Sequence, residues 1–345
     1  MKYIRFDNVF TYSTKGVIMQ AIMVWLVAMS TPWAASTGEH PEIKSRAFHF
    51  TYEAQMTDIP EMSESVLMWV PLPVTTTLQT IKGMNIVSSH PYNIVTDETY
   101  GNRFVRIELT DTQIQALEVP PHITLNFDVV RKAMVPMYTP FAMPNIDRSK
   151  LDQYLADSIL VVSTGPIEAE AARIVANETD TLKQAQLLYD NIVDTVTYDK
   201  SGDGWGRGDS LYVCDVRTGN CTDFHSLFIG QARSLNIPAR FIMGFPIPIG
   251  PKEGDISGYH CWAEFFHNER GWLPVDASEA QKHPEMREAL FCGLDENRIQ
   301  FTQGRDIVLP MAKGGPLNYA IYPYAEVDGK IHTSFKTRFH FKDAE

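Results

Sequence analysis

The sequence predicts an α+β protein in which strands come first, helices follow, and strands return. Three observations carry this. Residues 43–131 alternate apolar and polar side chains, the period-two mark of half-buried strands. Residues 181–196 and 221–235 change to the 3.6-residue spacing of helices with one buried face. From 239 onward, short apolar runs between Gly and Pro clusters regain strand character. Strands grouped apart from helices define the α+β class.

The 345 residues exceed the usual length of one compact domain, and two are expected. An apolar content of 44% supports a core without metals or many disulfides. Lys2, Arg5 and Lys15 precede the uncharged, mostly apolar run 17–29, and the small residues Ser30, Ala34, Ala35 and Ser36 follow. This is the layout of a secretory signal. The run is shorter than the roughly 20 residues a membrane-spanning helix needs, and no later segment is long and apolar enough to span. Residues 1–36 are therefore expected to be a signal peptide cut after 34, 35 or 36. The mature protein is expected to be periplasmic or secreted, with no stable membrane insertion.

Residues 43–133 are expected to form a small antiparallel β-sandwich domain. Its alternating sets are Phe48, Phe50, Tyr52; Val105, Ile107, Leu109; and Ile123, Leu125, Phe127, Val129. Turn residues at 88–91 and 97–102 separate them. The Met- and Pro-rich segment 134–150 reads as a linker, and 151–345 as the second domain. There, Leu182, Ala185, Leu188, Tyr189, Ile192, Val193 and Val196 make one helix face, with Thr181 and Gln184 as its capping box. The Gly-rich loop 199–210 includes Arg207-Gly208-Asp209, a tripeptide that some adhesion proteins use and that chance often supplies. A second helix starts near Cys221, carries the stripe Phe224, Leu227, Phe228, Ala232 and Leu235, and ends at Asn236 before Pro238. Strands are expected at 239–245, 259–266 and 272–276, and 294–341 is mostly strand and turn.

Cys221 sits where that helix begins. Unpaired N–H groups and the positive end of the helix dipole favour a thiolate there, and the thiolate is the nucleophile of cysteine enzymes. Gly219 just before it lets the chain turn tightly. His260 shares a strand face with Trp262, Glu264 and Phe266, while Cys261, Ala263 and Phe265 share the other. A hairpin centred near Asn268 places Asp276 opposite His260 on the same face. A carboxylate beside a histidine orients the imidazole and stabilises its charged form.

The segments 219–228, 236–241, 258–264 and 271–276 resemble the transglutaminase-like superfamily. The resemblance rests on the Cys-bearing helix, Ile237-Pro238-Ala239-Arg240, His260-x-Trp262-x-Glu264 and Gly271-Trp272-x-x-x-Asp276. They stand in that family's order, with 39 residues from Cys221 to His260 and 16 from His260 to Asp276. It is close over 219–276 and looser from Leu182 to Phe291; a β-rich region ahead of such a core is similar to exported bacterial members. The resemblance implies a papain-like catalytic domain over 151–345, with Cys221 as nucleophile, His260 as general base and acid, and Asp276 as orienter. The implied reaction is acyl transfer on a peptide or protein amide through a Cys thioester. Water as acceptor gives hydrolysis or deamidation, and a cysteine peptidase or amidase is the expected outcome; a lysine-like amine gives the alternative, a cross-linking glutamyltransferase. The Cys221 N–H is the first oxyanion donor expected. Gln184, Tyr198 and Trp205 are equal candidates for the second.

Two other classes compete. Cys221 and His225, at i and i+4 on one helix, are half of a zinc site that His260 and Cys261 could extend. Opposite strand faces for His260 and Cys261, and the lack of a Cys-x-x-Cys pair, count against it. The other class is a binding module that keeps the fold without the chemistry. No cofactor is expected, no calcium-loop pattern is present, and a net charge of −12 argues against a nucleic-acid partner. Of the four cysteines, Cys261 is expected to face away from the site, and export would leave a Cys214–Cys261 disulfide open as one pairing, with Cys292 unpaired. The loops 199–210 and 246–258 are expected to be mobile groove walls that touch substrate.

Overall fold

The computed structural model describes residues 43–135 and 148–344. The expected signal peptide and most of the expected linker lie outside them. The β-rich region comprises β1 (Ser45–Met56), β2 (Ser65–Pro71), β3 (Gln79–Ser88), β4 (Tyr92–Thr96), β5 (Arg103–Thr110), α1 (Asp111–Gln115) and β6 (His122–Lys132). Next come α2 (Pro166–Val175), α3 (Thr181–Thr195), β7 (Thr197–Tyr198), α4 (Ser210–Val216), β8 (Thr218–Gly219) and α5 (Cys221–Ser234). The chain continues through β9 (Ala239–Pro246), β10 (Glu253–Asp255), β11 (His260–His267), β12 (Gly271–Val275) and α6 (Ala277–Lys282). It closes with β13 (Arg298–Gln303), β14 (Tyr324–Val327), β15 (Lys330–His332) and β16 (Phe335–Asp343).

Three antiparallel sheets result, ordered β10-β16-β1-β6-β3, β15-β14-β2-β5-β4 and β12-β11-β9-β13. Every second residue of β1 from Phe48 onward, and of β6 from Ile123 to Arg131, is buried, including Phe50, Tyr52, Leu125 and Phe127. They join Val66, Met68 and Val70 of the second sheet in one continuous core, as the alternation in the sequence requires. The fold is thus α+β, with a β-rich region ahead of the helical core.

The boundary between the two regions differs from the reading of 151–345 as a separate domain. β16 pairs with β1 from Phe48↔Asp343 to Met56↔Phe335, and β14 pairs with β2. The physical reason is burial: β1 and β2 lie inside their sheets, so both edges of each need a hydrogen-bonded neighbour. Local sequence supplies only one, and 324–343 supplies the other.

The helical core is built around α5, buried at every position from Cys221 to Arg233. Its apolar residues pack on the third sheet, with Phe228 and Phe265 ring centroids 6.1 Å apart. Its polar residues have dedicated partners: Gln231 donates to Glu170, and Arg233 donates to the Ala239 and Ala156 carbonyls. The helix stops at Asn236, whose φ of 61° is the left-handed turn expected there. α3 is capped by the Asp180 carboxylate on the Lys183 N–H rather than by Thr181, and Gln184 instead reaches the Glu178 carbonyl.

Candidate active site

α5 begins in a dense cap. Asn220 Oδ1 accepts the Thr222 N–H at 2.9 Å, and Asp223 Oδ2 reaches back to the Asn220 N–H at 2.9 Å. The Asp223 and Phe224 N–H groups bond to the Asn220 carbonyl. The Cys221 N–H has no such acceptor among the described residues, so it is the free donor of the first turn. Gly219 is required for packing rather than for exposing the sulfur: a Cβ there would lie 2.4 Å from Asp223 Oδ2. Cys221 is only 3% exposed.

His260, at the start of β11, makes a 2.7 Å hydrogen bond from Nε2 to Asp276 Oδ2, and both groups are buried. The ring and the Cys221 thiol lie near enough for each to favour the other's charged form. The expected cross-strand pairing is off by two residues. The observed register, Ala263↔Val275 to His267↔Gly271, continues to put Asp276 opposite Trp262. Asp276 leaves the strand, caps α6 through Oδ1 on the Glu279 N–H at 3.1 Å, and turns back to His260. A helix cap, not a strand ladder, positions this carboxylate.

Sequence reasoning missed the cation on its other side. Arg298 of β13 donates to Asp276 Oδ2 at 2.8 Å and to Asp295 at 3.0 Å, and is itself 3% exposed. Its only signal in the sequence is a charged residue alternating with Ile299 and Phe301 in a buried strand. Burial alone would raise the Asp276 carboxyl, but His260 and Arg298 hold it well below the usual range. Burial likewise opposes charge on His260, and the Asp276 charge and the Cys221 contact override it, raising the imidazole to about 10. A hydrogen bond from Cys261, then His260, hold the Cys221 thiol well below its ordinary value against the effect of burial. The arrangement therefore favours a thiolate–imidazolium pair.

Residues 168–277 match the family model of the transglutaminase-like superfamily. The site lies in a transglutaminase-like core. An uncharacterised protein of Haemophilus influenzae is 29% identical over 306 residues, 78% of this chain and 82% of that protein. A candidate cysteine protease from Cytophaga hutchinsonii has the same fold, with a TM-score of 0.57 at 18% identity over 88% of this chain and 93% of its own.

Within this transglutaminase-like core, several motif residues serve the frame. Arg240 pairs with Glu264 at 2.7 Å and lies 4.1 Å from the Trp272 ring centroid. Trp262 is flanked by Arg298 and Arg131, at 5.2 and 5.8 Å. Tyr198 is brought beside the site by parallel pairing of β7 with β8, Tyr198↔Gly219. Burial, then the Cys221 charge, push its phenol up, so it stays a proton donor. Gln184 is committed at the α3 cap, which leaves Tyr198 and Trp205 of the expected oxyanion donors, and Tyr198 is the one that strand pairing sets opposite Gly219.

Loop 199–210 differs from the expected mobile wall. Asp223 accepts the Gly206 and Gly208 N–H groups at 2.6 and 2.9 Å. Arg305 donates to the Arg207 and Gly208 carbonyls and to Ser226, and Asp209 caps α4. The Arg-Gly-Asp tripeptide is thus held by its own backbone. Tyr259, ahead of β11, hydrogen-bonds to Thr222 at 2.8 Å and to Asn220 at 3.1 Å.

The expected placement of the spare cysteines is also corrected. Cys214 hydrogen-bonds to Glu170 at 3.4 Å, Cys261 lies against α5, and all four thiols are free. Cys261 does face away from the Trp262 side of β11, but that is the side on which α5 packs. Its Sγ is 3.8 Å from both Thr222 Oγ1 and His225 Nδ1. His225 Nε2 accepts the Ala277 N–H at 3.2 Å, and burial keeps its imidazole neutral.

Proposed function

We propose that this protein transfers acyl groups from peptide or protein amides through a thioester on Cys221, with water as the usual acceptor. The carrying observation is the buried His260–Asp276 pair, in the same core as a thiol in the first turn of α5. In this reading the Cys221 thiolate attacks the amide carbonyl, and the Cys221 N–H and Tyr198 hydroxyl receive the oxyanion. His260 gives its proton to the leaving amine, then takes one from water to release the acid. Asp276 keeps the ring oriented and charged. A cysteine only 3% exposed admits water more easily than a protein amine, which favours hydrolysis over cross-linking.

The test is product analysis of glutamine-containing peptides, with and without an added primary amine, by mass spectrometry. Cleaved or deamidated peptide that disappears in Cys221→Ala and in His260→Ala supports the reading, and amine-linked peptide would make transfer the main reaction. No turnover, with Cys221 alkylated by iodoacetamide only near the ordinary thiol pKa of about 8.5, would replace it with a binding module. The 1–36 pattern leads us to place the enzyme outside the cytoplasm. N-terminal sequencing of protein recovered from cells should then begin at residue 35, 36 or 37, and a Met1 start would count against export.

A further inference from the structure

Cys261 is not needed by the chemistry proposed above, and packing does not ask for a thiol. Its face of β11 continues with Ala263 and Phe265, both fully buried in the main apolar core. Yet its sulfur faces the first turn of α5, the turn that carries Cys221. The contacts of that sulfur, Thr222 and His225 at 3.8 Å each, are residues one and four places beyond Cys221 on the same helix. Both thiols stand on fixed elements, one in the first turn of the buried α5, the other in a strand paired Cys261↔Met243. The remaining cysteines are occupied elsewhere: Cys214 with Glu170 and Arg217, and Cys292 in a separate buried setting.

We propose that Cys261 is a resolving thiol for Cys221, and that mild oxidation joins the two in a reversible disulfide that switches the site off. The proposal rests on the reading of Cys221 as the reactive thiol, and it adds a regulation of that site.

The chemistry balances with hydrogen peroxide as oxidant. The Cys221 thiolate attacks one peroxide oxygen; the S–O bond forms, the O–O bond breaks, and the departing hydroxide takes the His260 proton to become water. Cys221 is then a sulfenic acid. The Cys261 sulfur attacks the Cys221 sulfur; the S–S bond forms, the S–O bond breaks, and the departing hydroxide takes the Cys261 proton as a second water. Two thiols lose two electrons, and one peroxide is reduced to two waters. The two sulfurs are suited to these unequal parts. Cys221 is held towards the thiolate, whereas burial, then the contact with Cys221, keep Cys261 a protonated thiol. Peroxide is close to water in size, so the narrow opening at Cys221 does not exclude it.

The experiment treats the purified wild-type protein with one equivalent of hydrogen peroxide, removes excess oxidant with catalase, and maps peptides by non-reducing mass spectrometry. The expected result is a Cys221–Cys261 linked peptide, loss of iodoacetamide labelling at Cys221, and full return of labelling after dithiothreitol. In Cys261→Ala, and in Cys261→Ser as a second variant should the first fold poorly, excess peroxide should carry Cys221 past the sulfenic acid, a second peroxide oxidising it to the sulfinic acid that dithiothreitol does not reverse, while the wild type under the same excess keeps the link. Sulfinic acid at Cys221 of the wild type without the link, or a link from Cys221 to Cys214 or Cys292, would overturn the proposal. Both readouts are masses and need no substrate. A link without amide turnover would sink the functional reading alone, and turnover without a link would sink this one alone.

Discussion

Asp223 and Asp276 both sit at the first turn of a helix and both are fully buried, yet the regions around them satisfy their charge differently. Asp223 faces backbone dipoles: the N–H groups of Asn220, Gly206 and Gly208. Those bonds do not offset burial, and its carboxyl is pushed up. Asp276 faces His260 and Arg298, and its carboxyl is held far down. Dipoles can hold a loop, but holding an imidazolium in a dry site takes a carboxylate that stays charged. One acid thus shapes the wall of the site, and the other sets the charge inside it.

Substitutions break this contrast to different degrees. Asp276→Asn should be the most damaging: an amide cannot stabilise the imidazolium, and kcat/KM should fall by about 10^4-fold, read by steady-state kinetics. Arg298→Met should destabilise the fold by roughly 3–5 kcal/mol, because a buried pair loses one partner, as measured by urea unfolding. It also frees Asp276 Oδ2 for His260 alone, so the alkaline limb of the pH–rate profile should move to higher pH. An unmoved limb would mean that Arg298 serves only the frame.

In the unmodified enzyme, turnover should fall about tenfold per unit as pH rises through about 10, where His260 loses its proton. Alkylation of Cys221 should not fall there, since it needs only the thiolate. The linkage signs agree with this window. His260, raised above its unfolded value, adds stability that is complete below about pH 6.5 and lost as pH rises through about 10. Asp276, depressed, adds stability present above its unfolded value of about 3.9 and lost as pH falls towards the folded one. Asp223→Asn should have the smallest effect, about 1–2 kcal/mol. Its signature is local: faster hydrogen exchange at Gly206 and Gly208, with the alkaline limb unchanged.

The sequence carried the α+β order, the β1 and β6 faces and the extent of α5, because each depends on periodicity within a few turns or strand pairs. It also singled out Cys221, His260 and Asp276, which the structure brings to one place. The route to Asp276 was misread by two residues, since a helix cap places it rather than the hairpin. Arg298 was invisible because its meaning lies in a partner 22 residues away. Cys261 was turned away from the site by a correct alternation rule; what the rule lacks is which face α5 covers. The short helices α4 and α6 are set by the caps Asp209 and Asp276 and are too brief to show a stripe.

The pairing of β16 with β1 has a consequence for how the chain is made. Every residue of the site is synthesised before Phe335, but the strand that flanks β1 from Phe48 to Met56 is not. Until it arrives, β1 offers a row of unpaired N–H and C=O groups to any other chain, and the pairing joins positions nearly 300 residues apart, a slow class of contact to form. A copy ending before Phe335 would keep the complete catalytic set and still be prone to aggregation rather than activity.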